Sequence, residues 1–286
     1  MTPVEYHLHL PETITCGTVF SSPHSGRDYP ASFLKDSVLD SVAIRSSEDA
    51  FVDNLFASVT DFGAPLLSAS APRAYVDLNR GIDELDSAVI EGARVFKGNP
   101  RVASGLGVIP RVVSEGRALM SGKISLQQAE ERLRRYYTPY HAQLGDLLRT
   151  ARAAFGQVLL VDCHSMPHEA VANVTGLFGR SPDIVLGDRF GSSCDNAFVE
   201  EIEGFLKQEG FRVARNTPFA GAYIAQAYGR PSSGQHCVQI EIDRALYLDE
   251  KTVTKNDRFD DVRKSLSRVS AQICEMTNWP MQMAAE

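Results

Sequence analysis

No apolar run in this sequence approaches the roughly 20 residues that a membrane-spanning helix needs. The opening residues Met1-Thr2-Pro3-Val4-Glu5-Tyr6 carry neither the basic region nor the apolar stretch of a secretory signal. Cysteine is sparse. The five, Cys16, Cys163, Cys194, Cys237 and Cys274, are scattered, odd in number and without CxxC spacing. They exclude a disulfide framework and a cysteine zinc site, and they suit a reducing compartment, so the chain is expected in the cytoplasm. An excess of basic charge is missing too. Against 29 Lys and Arg stand 36 Asp and Glu, a net charge of −7 at pH 7, which argues against nucleic acid or an anionic membrane as the main partner. Internal repeats and low-complexity tracts are absent, and nothing sets the oligomeric state.

What is present is ordinary for a globular protein with a sizeable core: 286 residues, 43% hydrophobic and 23% charged. A single α/β domain, its sheet covered by helices on both faces, reaches this size readily. The organising stretch is Gln157-Val158-Leu159-Leu160-Val161-Asp162-Cys163-His164-Ser165. Its short continuous apolar run, between Gly156 and Pro167, predicts a strand buried on both faces in the middle of the sheet. Ligands of open α/β sheets sit beyond the carboxyl ends of such strands. Asp162 and His164, two apart, share one side there; a turn cap and a loop histidine would account for them equally.

Other segments place polar residues similarly. Thr18-Val19-Phe20-Ser21-Ser22 predicts a strand running into a turn with His24. Ser46 to Val59 predicts a helix with an apolar stripe of Phe51, Val52, Leu55, Phe56 and Val59, capped by Ser46 or Ser47, with Glu48 and Asp49 in its first turn. Pro65 to Ser68 and Ala74 to Leu78 read as strands, the second preceded by Arg73 and ending in Asn79-Arg80-Gly81. Residues 81–122, rich in glycine, read as a long insertion or lid. Leu126 to about Ala154 is helical with a break or kink at Pro139. Further strands are expected at Asp183 to Gly187, Phe211 to Ala214 and Cys237 to Asp243, with helices at Asn196 to Glu209 and near Phe259 to Ile273. In Cys237 to Asp243, Val238, Ile240 and Ile242 face one way and Gln239, Glu241 and Asp243 the other. A solvated sheet face would explain those polar residues as well as a site would.

Two histidines and a carboxylate without cysteine suit a catalytic zinc site that keeps a position open. A further carboxylate can then act as general base, and arginines can hold an anionic substrate. The segments Ser22-Pro23-His24-Ser25-Gly26, Glu48-Asp49-Ala50-Phe51-Val52-Asp53, Tyr75-Val76-Asp77-Leu78-Asn79-Arg80, Asp162-Cys163-His164-Ser165, Gly221-Ala222-Tyr223-Ile224, Tyr228-Gly229-Arg230-Pro231 and Gln239-Ile240-Glu241 occur in this order. Together they resemble the N-formylglutamate amidohydrolase (deformylase) family, from about His24 to Asp249.

The resemblance implies a mixed central sheet between helices, related to zinc carboxypeptidases and aspartoacylase. It implies one Zn2+ ion and cleavage of the N-formyl or other N-acyl amide of an acidic amino acid, as in histidine degradation. The substrate would be a small anionic N-acyl amino acid. Carried over by position, His24, Asp49 and His164 would be ligands, with Glu48 as the alternative carboxylate, and Glu241 the general base. Arg73 would polarise the scissile carbonyl. Asn79 and Arg80 would hold a substrate carboxylate, and Tyr223 and Arg230 would line the pocket. The third residue after His24 is Arg27, so the His-x-x-Glu of the carboxypeptidases is missing and the carboxylate ligand must come from farther along. The other readings are a deacylase or carboxypeptidase for a different N-acyl amino acid, and a metal-free anion-binding protein of the same fold.

Overall fold

The computed structural model describes residues 4–94, 98–172, 174 and 181–278. Met1, Thr2 and Pro3, part of the stretch read for a signal, and residues 95–97 of the expected insertion lie outside them. The strands in chain order are β1 (Tyr6–His9), β2 (Thr18–Ser22), β3 (Leu66–Ala69), β4 (Ile90–Glu91), β5 (Ile124–Ser125), β6 (Val158–Met166), β7 (Ile184–Gly187), β8 (Val213–Arg215), β9 (Gln235–Asp243), β10 (Leu248–Asp249) and β11 (Thr254–Lys255). Seven build one sheet in the order β1-β3-β2-β6-β9-β7-β8; β4 pairs with β5 and β10 with β11 outside it. The neighbours from β3 to β9 run parallel, while β1 is antiparallel to β3 and β7 to β9. The sheet is therefore mixed. Among the described residues no helix is long and apolar enough to cross a membrane.

The apolar run at Val158–Val161 sits in the sheet's interior, as its double-sided hydrophobicity requires. One face packs Phe20, Leu159, Val161, Cys163, Val238, Ile240 and Ile242 against the helices Val52–Leu55, Asn196–Gln208 and Phe259–Met276. The other packs Val19, Leu67, Leu160 and Cys237 against Tyr140, Leu144, Leu147 and Leu148 of the helix Thr138–Phe155. Helices thus cover both faces of a single domain. Ser125 opens the helix Leu126–Arg132 with a reciprocal capping box to Gln128. At Pro139, which has no N–H to donate, the chain passes through a π turn, Leu133–Tyr137, rather than stopping.

Two expected elements take another form. Ala74 to Leu78 is not a strand: Tyr75 N and Val76 N both bond Pro72 O, at 2.9 and 3.3 Å, and Asp77 N bonds Val108 O at 2.8 Å. Both edges of β3 are already taken by β1 and β2, so this apolar segment cannot pair with the strand that precedes it. It buries Val76 and Leu78 as an irregular loop. Ser46 to Val59 is not one helix either. Phe51 has φ +63°, and only Val52–Leu55 is α-helical before a 3-10 turn at Ala57–Phe62. The stripe Val52, Leu55, Phe56 and Val59 is buried as its spacing demands. Glu48 and Asp49 stand before the helix, and Ser46 Oγ bonds Ala43 O instead of capping.

Candidate active site

Strands β6 and β9 run side by side with His164 opposite Glu241 and Asp162 opposite Gln239. Partners in register share a face, so four polar side chains emerge together where the apolar core of that face ends. Beside β6, β2 delivers the chain into the turn that carries His24. Gly26 is needed in that turn: a Cβ there would lie 2.1 Å from Ala71 O. Its absence lets the turn pack on the chain before Arg73 and brings His24 to Asp77. Asp49 arrives from the far side, its N–H donating to His24 O at 3.1 Å.

One ligand atom from each of His24, Asp49 and His164 lies within 4.8 Å of the others, and all three residues are buried. Asp49 Oδ2 is 2.9 Å from His164 Nδ1 and 3.4 Å from His24 Nδ1. Each ring is held by its other nitrogen: His24 Nε2 to Asp77 Oδ1 at 2.7 Å, His164 Nε2 to Asp162 Oδ2 at 3.0 Å. If Nε2 donates to Asp77 and Asp162, which as ionised carboxylates can only accept, the Nδ1 lone pairs of neutral rings would point at Asp49. Two lone pairs aimed at a carboxylate repel unless something positive lies between them. His24 Nδ1 has no hydrogen-bond partner despite its burial. Two imidazoles, each oriented by a carboxylate, and one carboxylate oxygen are the donor set of a catalytic zinc site. The residues present fit that ion.

Electrostatics point the same way. Burial opposes charge on His164, but Asp162, Asp49 and Glu241 outweigh it and raise the imidazole well above its ordinary value. Burial likewise opposes ionisation of Asp49 and Asp77, yet His164, His24 and Arg73 hold the first, and His24, Arg73 and Arg80 the second, well below the usual carboxylate range. Glu241 differs from these acids. Burial, helped by Asp49, pushes it up to about 7 against the pull of His164, Arg73 and Arg244. Gln239 Nε2 donates to its Oε1 at 2.8 Å. A carboxyl poised near neutrality beside this cluster is suited to moving a proton in both directions.

His24, Asp77, His164, Gln239 and Glu241 line a cavity of about 690 Å³ together with Arg73, Asn79, Arg80, Arg244, part of the segment 101–116 and the loop 218–222. Glu48 is turned away, its carboxylate bonded by Arg45 and by Tyr29 Oη at 2.6 Å. Arg73 lines the cavity with Nη2 on Asp77 at 2.9 Å. Arg80 reaches it with no ion-pair partner among the described residues, its Nε on Leu106 O at 2.9 Å and Nη1 on Asn79 O at 2.7 Å. Asn79 is largely committed to the protein: Oδ1 accepts from Ile224 N at 2.7 Å, and Nδ2 lies 3.5 Å from Asp162 Oδ2. Tyr223 and Arg230 are not in the cavity wall. Tyr223 packs its ring on His141 and Tyr137, and Arg230 turns its guanidinium back to the carbonyls of Gln226 and Gly229. Both follow the cavity loop in sequence, but the helix Tyr223–Tyr228 carries the chain away from it.

Three residues of the site had not been singled out. Asp77, two before Asn79, orients His24 and Arg73. Arg244, three after Glu241, is buried with Nη2 on Asp49 Oδ1 at 2.9 Å and Nε on Ser165 Oγ at 3.2 Å; occupying Oδ1, it leaves Oδ2 for the histidines. His141 braces the loop behind Arg80, Nε2 on Leu78 O at 2.9 Å and Nδ1 on Tyr228 Oη at 2.9 Å. No spacing in the sequence marks His141; Asp77 and Arg244 lie within three residues of recognised positions.

Residues 16–248 match the family described as N-formylglutamate amidohydrolase. The chain is 32% identical over 239 residues to an N-formylglutamate deformylase of Pseudomonas aeruginosa, covering 82% of both proteins. It is 29% identical over 238 residues to that of Pseudomonas putida, covering 81% of this chain and 82% of the relative. Its structure superposes on the crystal structure of N-formylglutamate amidohydrolase from Ralstonia eutropha JMP134 with a TM-score of 0.88 at 35% identity, covering 96% of this chain and 98% of the other. The chain belongs to the N-formylglutamate amidohydrolase family and is a hydrolase acting on an amide.

Proposed function

We propose that the protein is a zinc-dependent deformylase that cleaves N-formyl-L-glutamate to L-glutamate and formate. The observation that carries this reading is the convergence of His24 Nδ1, Asp49 Oδ2 and His164 Nδ1, with Glu241 in register beside His164. The names of its relatives supply the substrate. His24, Asp49 and His164 hold the ion, which supplies Lewis acidity at the reacting carbonyl. Glu241 accepts the proton of the attacking water and returns it to the leaving amine, a task for which a pKa of about 7 suits it. Arg73, at the cavity wall, donates to the oxyanion that develops on the formyl carbonyl. Arg80, a buried cation without an ion pair, takes the α-carboxylate and fixes the amide's orientation. Residues 101–116, within the expected insertion 81–122, roof the cavity.

The test is hydrolysis of N-formyl-L-glutamate by protein stripped of metal and then reloaded. Activity that returns in proportion to zinc bound, and a His164→Ala protein that binds none, are expected. Full activity in chelator-treated protein with no detectable metal would overturn the reading. A further check is Arg80→Ala: a charge-assisted pair is worth roughly 1.5–3 kcal/mol, so kcat/KM should fall about 10- to 150-fold. An equal loss on N-formylglutamate α-amide would remove Arg80 from that role.

A further inference from the structure

Arg80 is not the only cation at the cavity without an ion pair among the described residues. Arg101 also lines it, and among the described residues its guanidinium has no hydrogen bond or ion pair. Its backbone position is well defined. Asn99 caps the short helix Pro100–Ala103, accepting from the N–H groups of Arg101 and Val102. Arg101 O then accepts from Leu106 N at 2.8 Å, and Leu106 O accepts from Arg80 Nε at 2.9 Å. Through that one turn the two arginines are tied to each other. The fold holds two like charges in one cavity, near enough that Arg101 works against the charge on Arg80, an arrangement that is unfavourable until an anion arrives.

The two are not equivalent. Arg80 is 7% exposed, at the floor beside Asn79 and the histidines, whereas Arg101 is exposed, at the mouth. In an N-acyl dicarboxylic amino acid the α-carboxylate lies next to the scissile amide and the side-chain carboxylate lies several bonds farther out. With the acyl carbon at the histidine cluster, the inner carboxylate falls to the inner arginine and the outer one is directed toward the mouth. We infer that Arg101 is a specificity residue that binds the side-chain carboxylate of the substrate, so that the amidohydrolase prefers an acidic residue over its neutral amide. This rests on the reading of the cavity as the deformylase site and adds to it the residue that selects glutamate.

The experiment compares wild type, Arg101→Ala and Arg101→Lys, zinc-loaded, on N-formyl-L-glutamate and N-formyl-L-glutamine. Because Arg101 is exposed, its contact is partly screened, and Arg101→Ala should lower kcat/KM on the glutamate substrate about 5- to 30-fold. The glutamine substrate, which offers no outer charge, should be unaffected. Arg101→Lys should recover part of the preference, and salt should weaken the wild-type preference more than that of Arg101→Ala. Equal loss on both substrates, or no loss on either, would overturn the inference. Calorimetric binding of L-glutamate against L-glutamine separates it from the parent reading. If wild type fails to hydrolyse either substrate yet binds glutamate better, and Arg101→Ala abolishes that difference, the subsite stands and the deformylase reading falls. If wild type is active and Arg101→Ala keeps its preference in both assays, the subsite falls and the deformylase reading stands. Absence of both turnover and binding preference in wild type overturns both.

Discussion

The two faces of β6 and β9 are buried to the same degree and do opposite things. Leu159, Val161, Cys163, Val238, Ile240 and Ile242 on one face are all 0% exposed, and on the other Asp162 is 0%, His164 and Gln239 2% and Glu241 8%. The first face is apolar to its end and is closed by the helix Phe259–Met276. The second is apolar at Leu160 and Cys237 and then turns polar within two residues; Ser21 Oγ marks the change, bonded to Tyr140 Oη at 2.7 Å. A strand's two-residue period is what allows one chain segment to build both. Burial alone therefore does not separate core from site. The difference lies in whether the buried groups have partners. At the polar end nearly every atom is matched, leaving His24 Nδ1 and Asp162 Oδ1 as the site's unpartnered buried side-chain atoms.

That contrast can be broken from either side. On the polar face, Glu241→Gln keeps shape and most hydrogen bonding but cannot accept a proton, so kcat should fall by about 10²–10⁴ while zinc content stays at the wild-type level. Normal turnover by a zinc-replete variant would mean that the polar face carries no general base at this position. On the apolar face, Ile240→Ala, one residue away and pointing to the opposite core, should cost about 2–5 kcal/mol of stability. A denaturant titration should show a lower midpoint with an unchanged slope; the zinc bound per folded molecule should not change.

The polar face also carries an acid-sensitive group in His141. Burial lowers this imidazole to about 4, with the Leu78 carbonyl opposing, whereas an unfolded chain titrates it near 6.5. The unfolded state therefore takes up a proton first as pH falls. Stability present above about pH 6.5 is lost progressively down to about pH 4, by about 3 kcal/mol at most from this group. His141→Gln should flatten the pH dependence of the unfolding free energy in that window, and an unchanged slope would count against the assignment. The smallest effect is expected from Arg244→Met, which frees Asp49 Oδ1. Zinc affinity, measured by competition with a chelator, should weaken about 10- to 100-fold, as is usual when a partner of a metal ligand is removed. Unaltered affinity would show that Asp49 needs no such restraint.

How far the site was legible follows from how locally each residue is placed. Asp162 with His164, and Gln239 with Glu241, could each be put on one face from strand alternation alone, because the period acts within a few residues; that the two pairs share a face is set by the β6–β9 register. His24 could be placed after a strand. Asp49 could not: its reading as a first-turn acid of a helix satisfied every local rule, and only Arg244 and His164, 195 and 115 residues away, account for its position. Tyr223 and Arg230 failed in the opposite sense, since proximity in sequence to a cavity loop does not carry through a helix that turns away.

By itself the sequence determined the succession of β2, β3, β6, β7, β8 and β9, the double-sided burial of β6, the alternation of β9 and, through seven short segments, the family. Those are properties of neighbouring residues, governed by backbone period and side-chain solvation. Only the tertiary structure decided that Ala74 to Leu78 forms no strand, since that depends on whether a sheet edge is free. It also decided which of Glu48 and Asp49 faces the histidines, since Arg45 and Tyr29 claim one and Arg244 the other. Charge pairing across a buried site is chosen by which partners the fold brings within about 3 Å, and chain spacing carries no record of that distance.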